Sequence, residues 1–228
     1  MDVDSVLGEG EIPDLASRIE HTLLNPAATY VDIDRLCDEA LQFSFFGVCV
    51  HGSHVLRCVE HLAGTLHTVA VVGFPLGAAH SSSKAFETRL AICDGAAEID
   101  MVLAIGALKS GAYDYVLRDI EGVVQAAEGR AVKVILETAM LSPEEWRVAS
   151  ALSQAAGASF IKTSTGFGGG GAAVEDVLAL RSIVGPQLGI KASGGIREPL
   201  QAKALVIAGA DRIGTSVGPR LLQPGSFA

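Results

Sequence analysis

Two lysines stand where lysine is costly. Lys162 follows Phe160 and Ile161 in "FIKTSTGFGGGG", and Lys191 follows Ile190 in "GIKASGGIR". Each closes an apolar run that reads as a buried strand, and each is followed by Ser or Thr and then glycine. Lysine is among the residues least often fully buried. A single lysine so placed pairs with a carboxylate or reaches out to solvent. Two on adjacent strands would project into one space, and that suggests amine chemistry. An amine nucleophile must be neutral, and with an ordinary pKa near 10.4 under about one lysine in a thousand is neutral at pH 7. A nearby second ammonium and desolvation both disfavour the charged form. Paired lysines are therefore what Schiff-base chemistry needs. Asp100, near the end of "AEIDMVL", offers a carboxylate for proton relay or a structural partner for one lysine, and the two roles are compatible.

The glycines after Lys162 point to a ligand. "TGFGGGG" contains G-x-G-x-x-G from Gly166 to Gly171, between a strand and a helix. A dinucleotide site would want an acidic residue about 20 positions on. Lys191 stands there, which argues against NAD. Bare backbone N–H groups beside a helix start suit a phosphate instead. "SGGIR" (193–197) and "GTS" (214–216) repeat the theme after the next two strands. Other candidates weigh less. His51 and His54 form H-x-x-H without a third ligand in view, so no metal is expected. Cys49 in "GVCV" is a candidate for the pocket wall, but no His/Asn pair suggests itself to make it a nucleophile.

Short apolar runs alternate with longer amphipathic ones. Strands are expected at 18–24, 45–50, 67–72, 97–103, 132–137, 159–163, 188–192 and 211–214. Several are apolar on both faces, as parallel strands covered by helices are. Helices are expected at 31–43, 53–63, 82–94, 112–128, from 142, at 173–184, at 198–208 and after 216. Thr29 with Asp32, and Ser142 with Pro143 and Glu145, read as helix starts. "GAAEIDMV", "GASFIKTS" and "GADRIGTS" repeat a Gly-Ala step before a strand, each a helix-to-strand corner. Eight such alternations fit one (β/α)₈ barrel over residues 1–228, with 1–17 as an N-terminal extension; a doubly wound sheet is the alternative. In the barrel, strands six and seven are neighbours.

Composition narrows the classes. The chain has 228 residues, 49% hydrophobic and only 5% aromatic, which suits a tightly packed α/β core. A net charge of -9 argues against nucleic acid as the main partner. No apolar run reaches about 18 residues, so no membrane span is expected. The cysteines Cys37, Cys49, Cys58 and Cys93 lack zinc or redox spacing, and Met1 leads into acidic residues rather than a secretory signal. Reduced thiols and a cytoplasmic location are expected.

The motifs "IEHTLL", "GVCVHGSHV", "VVGFPLG", "GAAEIDMVLAIGAL", "VKVILET", "FIKTSTGF", "IKASGGIR" and "RIGTS" resemble, in this order, the deoxyribose-phosphate aldolase family. The resemblance runs from about residue 18 to 217, and its two lysine motifs are highly specific. It implies a class I aldolase that needs no metal or cofactor. Lys162 would form the Schiff base, with Asp100 and Lys191 in proton transfer. Thr165, Gly166, Gly194, Gly195, Gly214 and Ser216 would bind substrate and phosphate. The implied reaction is reversible cleavage of 2-deoxy-D-ribose 5-phosphate to D-glyceraldehyde 3-phosphate and acetaldehyde, by a homo-oligomer, dimer or tetramer. Five positions depart from the family's habit: Glu20 for Asp, Ala104 for Asn, His51-Gly52 for Asn-Pro and Val217 for Ser. They are expected to bear on substrate affinity and to leave the three catalytic positions untouched. The rivals are another lysine-dependent barrel aldolase or transaldolase, and a non-catalytic sugar-phosphate-binding barrel.

Overall fold

In the computed structural model, described over residues 14–223, eight parallel strands close into a barrel in chain order. They are β1 Ile19–Leu23, β2 Gly47–His51, β3 His67–Val72, β4 Glu98–Val102, β5 Ala131–Ile135, β6 Phe160–Lys162, β7 Gly189–Ser193 and β8 Arg212–Thr215. β8 pairs back onto β1, which rules out the open sheet. Every expected strand forms within two residues of its expected bounds.

The helices are α1 Tyr30–Gln42, α2 Val55–Leu62, α3 Ser81–Cys93, α4 Ile105–Lys109, α5 Tyr113–Ala126, α6 Pro143–Ala155, α7 Val174–Val184, α8 Pro199–Ile207 and α9 Gly218–Leu221. Both expected capping boxes are present. Thr29 Oγ1 accepts from Asp32 N, and Asp32 Oδ2 accepts from Thr29 N at 2.9 Å. Ser142 and Glu145 repeat this at α6, with Pro143 at its first position. α4 was not expected: it has one turn and no side-chain cap, so the sequence carries no start signal for it. The corner glycines Gly95, Gly157 and Gly209 take φ of 97°, 84° and 112°, the left-handed region expected for the Gly-Ala repeat. Of the expected extension, residues 1–13 lie outside the described residues, and the chain enters through a 3-10 turn, Ala16–Arg18.

Alternation along the strands builds two different layers. Outward side chains such as Val48, Val50, Ile99, Met101, Val134, Ile161, Ile190 and Ile213 are buried beneath the helices and form the main core. Inward side chains divide by side. Cys49, Val69 and Val71, with Leu24, make an apolar patch against β1–β3. β4–β8 and β1 instead turn Glu98, Asp100, Lys133, Lys162, Lys191, Arg212 and Glu20 inward.

Candidate active site

Those seven inward groups form one ionic cluster. Lys162 and Lys191 are register partners on adjacent strands, so their side chains leave the sheet side by side. Lys162 Nζ donates to Asp100 Oδ2 at 2.9 Å, and Lys191 Nζ donates to the same oxygen at 2.6 Å. Lys191 also donates to Glu20 Oε2. Lys133 lies 3.0 Å from Asp100 Oδ1, 2.5 Å from Glu98 and 3.4 Å from Glu20. Arg212 reaches Glu20 and Glu98, both at 3.4 Å, with its guanidinium stacked on Phe46. Glycine makes room for this: a Cβ on Gly214 would meet Lys191 Cε at 3.0 Å.

The charges hold one another. Burial pushes the Asp100 carboxyl up, but the Lys133, Lys162 and Lys191 ammoniums outweigh it and hold it well below the usual carboxylate range. Burial likewise opposes Glu20, which Lys133 and Lys191 hold low. Burial pushes Lys191 down, yet the Asp100 and Glu20 carboxylates more than reverse this and hold it above the usual lysine range. Lys133 is raised for the same reasons. Lys191 is thus a fixed cation beside Lys162. Among the described residues, Glu20, Cys49 and Asp100 place possible metal-ligand atoms within 4.8 Å of one another. The Lys191 ammonium already binds both carboxylates of that trio.

Of the cluster, Lys162 is the residue that opens on the C-terminal mouth of the barrel. It lines a cavity of about 340 Å³ at the C-terminal mouth, together with Thr165, Gly166, Phe167, Gly194, Gly214 and Ser216. The loops after β6 and β7 touch backbone to backbone: a Cβ on Gly171 would lie 2.6 Å from the Gly194 carbonyl oxygen. Only glycines allow that contact. Thr165 is pinned from below, where its hydroxyl and its N–H both donate to the buried Glu137. Phe167 packs edge-on against Phe74 and walls the cavity.

Two of the residues expected at the substrate site, Cys49 and Gly195, do not line this cavity. Cys49 faces the barrel interior but is fully buried, its thiol 3.9 Å from Asp100 Oδ2 and raised by burial, so it backs the carboxylate instead of lining the cavity. Gly195 is exposed, with φ of 72°, outside the cavity lining. Asp100 and Lys191 lie behind Lys162, sealed from solvent. Glu137, expected at the end of strand five, lies beyond it at φ of 58°. His51 bonds the Leu24 carbonyl at 3.1 Å and joins no metal-ligand group among the described residues. Arg212 was not expected at the site; Lys133 and Glu98 were expected at the ends of their strands, whereas Lys133 lies in the middle of β5 and Glu98 opens β4. Each is a charged residue on a largely apolar strand.

Residues 14–223 match the model of the DeoC/LacD family aldolases. The chain belongs to this family. It is 53% identical over 213 residues to the deoxyribose-phosphate aldolase of Bdellovibrio bacteriovorus, covering 93% of this chain and 97% of that protein. The Thermococcus gammatolerans deoxyribose-phosphate aldolase is 53% identical over 215 residues, 92% of this chain and 96% of that one. Among solved structures, the deoxyribose phosphate aldolase of Aeropyrum pernix, described as a tetramer, superposes with a TM-score of 0.85 at 37% identity, covering 92% of this chain and 89% of that one. The protein is an enzyme, a carbon–carbon lyase of the deoxyribose-phosphate aldolase family, and not a non-catalytic barrel. One expectation about the family departures needs correction. Glu20 was expected to leave the catalytic positions untouched, yet its carboxylate is bonded directly to Lys191.

Proposed function

We propose that the enzyme reversibly cleaves 2-deoxy-D-ribose 5-phosphate to D-glyceraldehyde 3-phosphate and acetaldehyde through a Schiff base on Lys162. One observation carries this reading: Lys162 is the cation of the buried cluster that lines the cavity, with Lys191 sharing its Asp100 oxygen. Charge counting supports it. Lys133, Lys162, Lys191 and Arg212 face Glu20, Glu98 and Asp100, one positive charge in excess when all are ionised. Releasing the Lys162 proton neutralises the cluster.

The neutral amine adds to the C1 aldehyde of the open-chain sugar, and loss of water gives the protonated imine. The C3 hydroxyl gives up its proton, C3 becomes the new aldehyde, and the C2–C3 electron pair moves into the enamine. Protonation at C2 and hydrolysis then release acetaldehyde and restore Lys162. Asp100 and Lys191 keep their charges and polarise the water that carries these protons. The N–H groups around Gly166, Gly194, Gly214 and Ser216 bind the phosphate. We extend the reading to a cytoplasmic homo-oligomer, in line with the tetrameric relative; no helix among the described residues is long and apolar enough to cross a membrane.

The test is product analysis with two sugars. Deoxyribose 5-phosphate yields acetaldehyde and glyceraldehyde 3-phosphate, with kcat/KM about a hundredfold above that for deoxyribose, or about 3 kcal/mol from the phosphate contacts. Rates within a few fold of each other would remove the phosphate role of the glycine loops. Cleavage yielding a dihydroxyacetone unit would reassign the enzyme to another lysine-dependent class.

A further inference from the structure

The opposite mouth of the barrel holds a second, larger cavity of about 860 Å³. Arg18, Phe160, Arg181, Leu188, Val206 and Arg212 line it. One of its arginines is fully engaged. Arg181 donates to the carbonyls of Gly185, Leu188 and Gly209 and to Asp211 at 2.5 Å. Asp211, also on this wall, accepts in addition from Ile190 N, so its charge is spoken for. The other two guanidiniums have donors to spare. Among the described residues, Arg18 Nε is buried with no hydrogen-bond partner. Among the described residues, Arg212 donates only from Nη1, at the long distance of 3.4 Å, while Phe46 clamps its flat face 3.3 Å from the ring centroid. Its orientation is therefore fixed, and its Nε and Nη2 have no hydrogen-bond partner among the described residues.

We infer that this mouth is a second binding site, for a small phosphate ester, whose phosphate is held by Arg18 and Arg212. A guanidinium edge matches phosphate oxygens two at a time, and two such edges match a dianion better than a single carboxylate. The rest of the wall is apolar, with Leu188, Val206 and Phe160 available to the organic part. The cavity falls within the range of small-molecule sites, about 300–1,000 Å³, and exceeds what a bare phosphate fills. Arg18, without an ion-pair partner among the described residues, stands out on a chain of net charge -9. The occupant would share Arg212 with Glu20 and Glu98, and so would touch the catalytic cluster from below.

The test uses the full chain carrying Lys162→Met, so that the reaction at the other mouth plays no part. Calorimetric titration with glycerol phosphate is expected to show an Arg18-dependent site: Arg18→Ala and Arg18→Gln both abolish it, with melting temperature unchanged. Any binding at the C-terminal mouth survives in both variants and is displaced by deoxyribose 5-phosphate. An isotherm that Arg18→Ala and Arg18→Gln leave unaltered would overturn the site. Inorganic phosphate binding there as tightly as the ester would overturn the ester assignment.

Discussion

Two buried lysine sites in this molecule look alike and are built to different rules. Lys84 on α3 is fully buried and donates to Asp119 on α5 at 2.5 Å and to the Val102 carbonyl at 3.0 Å. Its stem packs under Gly73, where a Cβ would meet Lys84 Cε at 2.9 Å. One cation meets one anion, and no cavity opens on either. The barrel cluster sets four cations against three carboxylates and exposes one ammonium to a cavity. The comparison teaches that burial of a lysine says little by itself. On the proposed function, charge balance and access separate a structural ammonium from a chemical one.

Two lysine variants break the comparison most sharply. Lys162→Met should lower kcat/KM by at least about 10⁴-fold, the scale on which losing a nucleophile acts, without loss of stability, because it removes the excess charge. Urea melts alongside kinetics check both halves. Lys84→Met should do the reverse. It strands Asp119 in a dry site and costs about 3–5 kcal/mol of stability, while the folded enzyme keeps its kcat. Lys84→Met with Asp119→Leu should recover most of that stability.

Smaller changes sharpen it. Glu20→Asp shortens the carboxylate that holds Lys191 and should lower kcat by about tenfold, equal to about 1.4 kcal/mol, with KM little changed. A large rise in KM alone would place Glu20 in substrate binding instead. The pH dependence of stability follows from the directions of the shifts. Asp100 and Glu20 are held low, so their contribution is complete above the unfolded-chain carboxyl range near pH 4 and is lost as pH falls below it. Lys191 and Lys133 are held high, so theirs is complete below about pH 10.4 and is lost only as pH rises beyond that. Urea midpoints from pH 3 to 11 should show a plateau between those limits and a decline at each end.

Much of this was legible in the chain, and the gaps have physical causes. The strands were readable because parallel strands under helices are continuous apolar runs. Lys162 and Lys191 were readable because each is a charge inside such a run. Asp100 fell into place through the same logic. Glu20 and Arg212 were harder, since they meet only when β1 closes against β8, and closure is a property of the whole barrel. Cys49 could be placed inward or outward at even odds, and its depth depends on strand stagger, which no local pattern encodes. Lys84 was hidden for another reason: in a helix, a lysine every few residues is ordinary, and only packing of α3 on α5 buries this one.

The most direct test of the central claim is borohydride reduction in the presence of acetaldehyde, followed by peptide mass spectrometry. Lys162 is the predicted site, carrying a single ethyl group on its peptide and on no other. Lys191→Met should still form this adduct, more slowly, and Lys162→Met should form none. An ethyl group on Lys191 in the wild type, or no adduct at all under turnover conditions, would contradict the account.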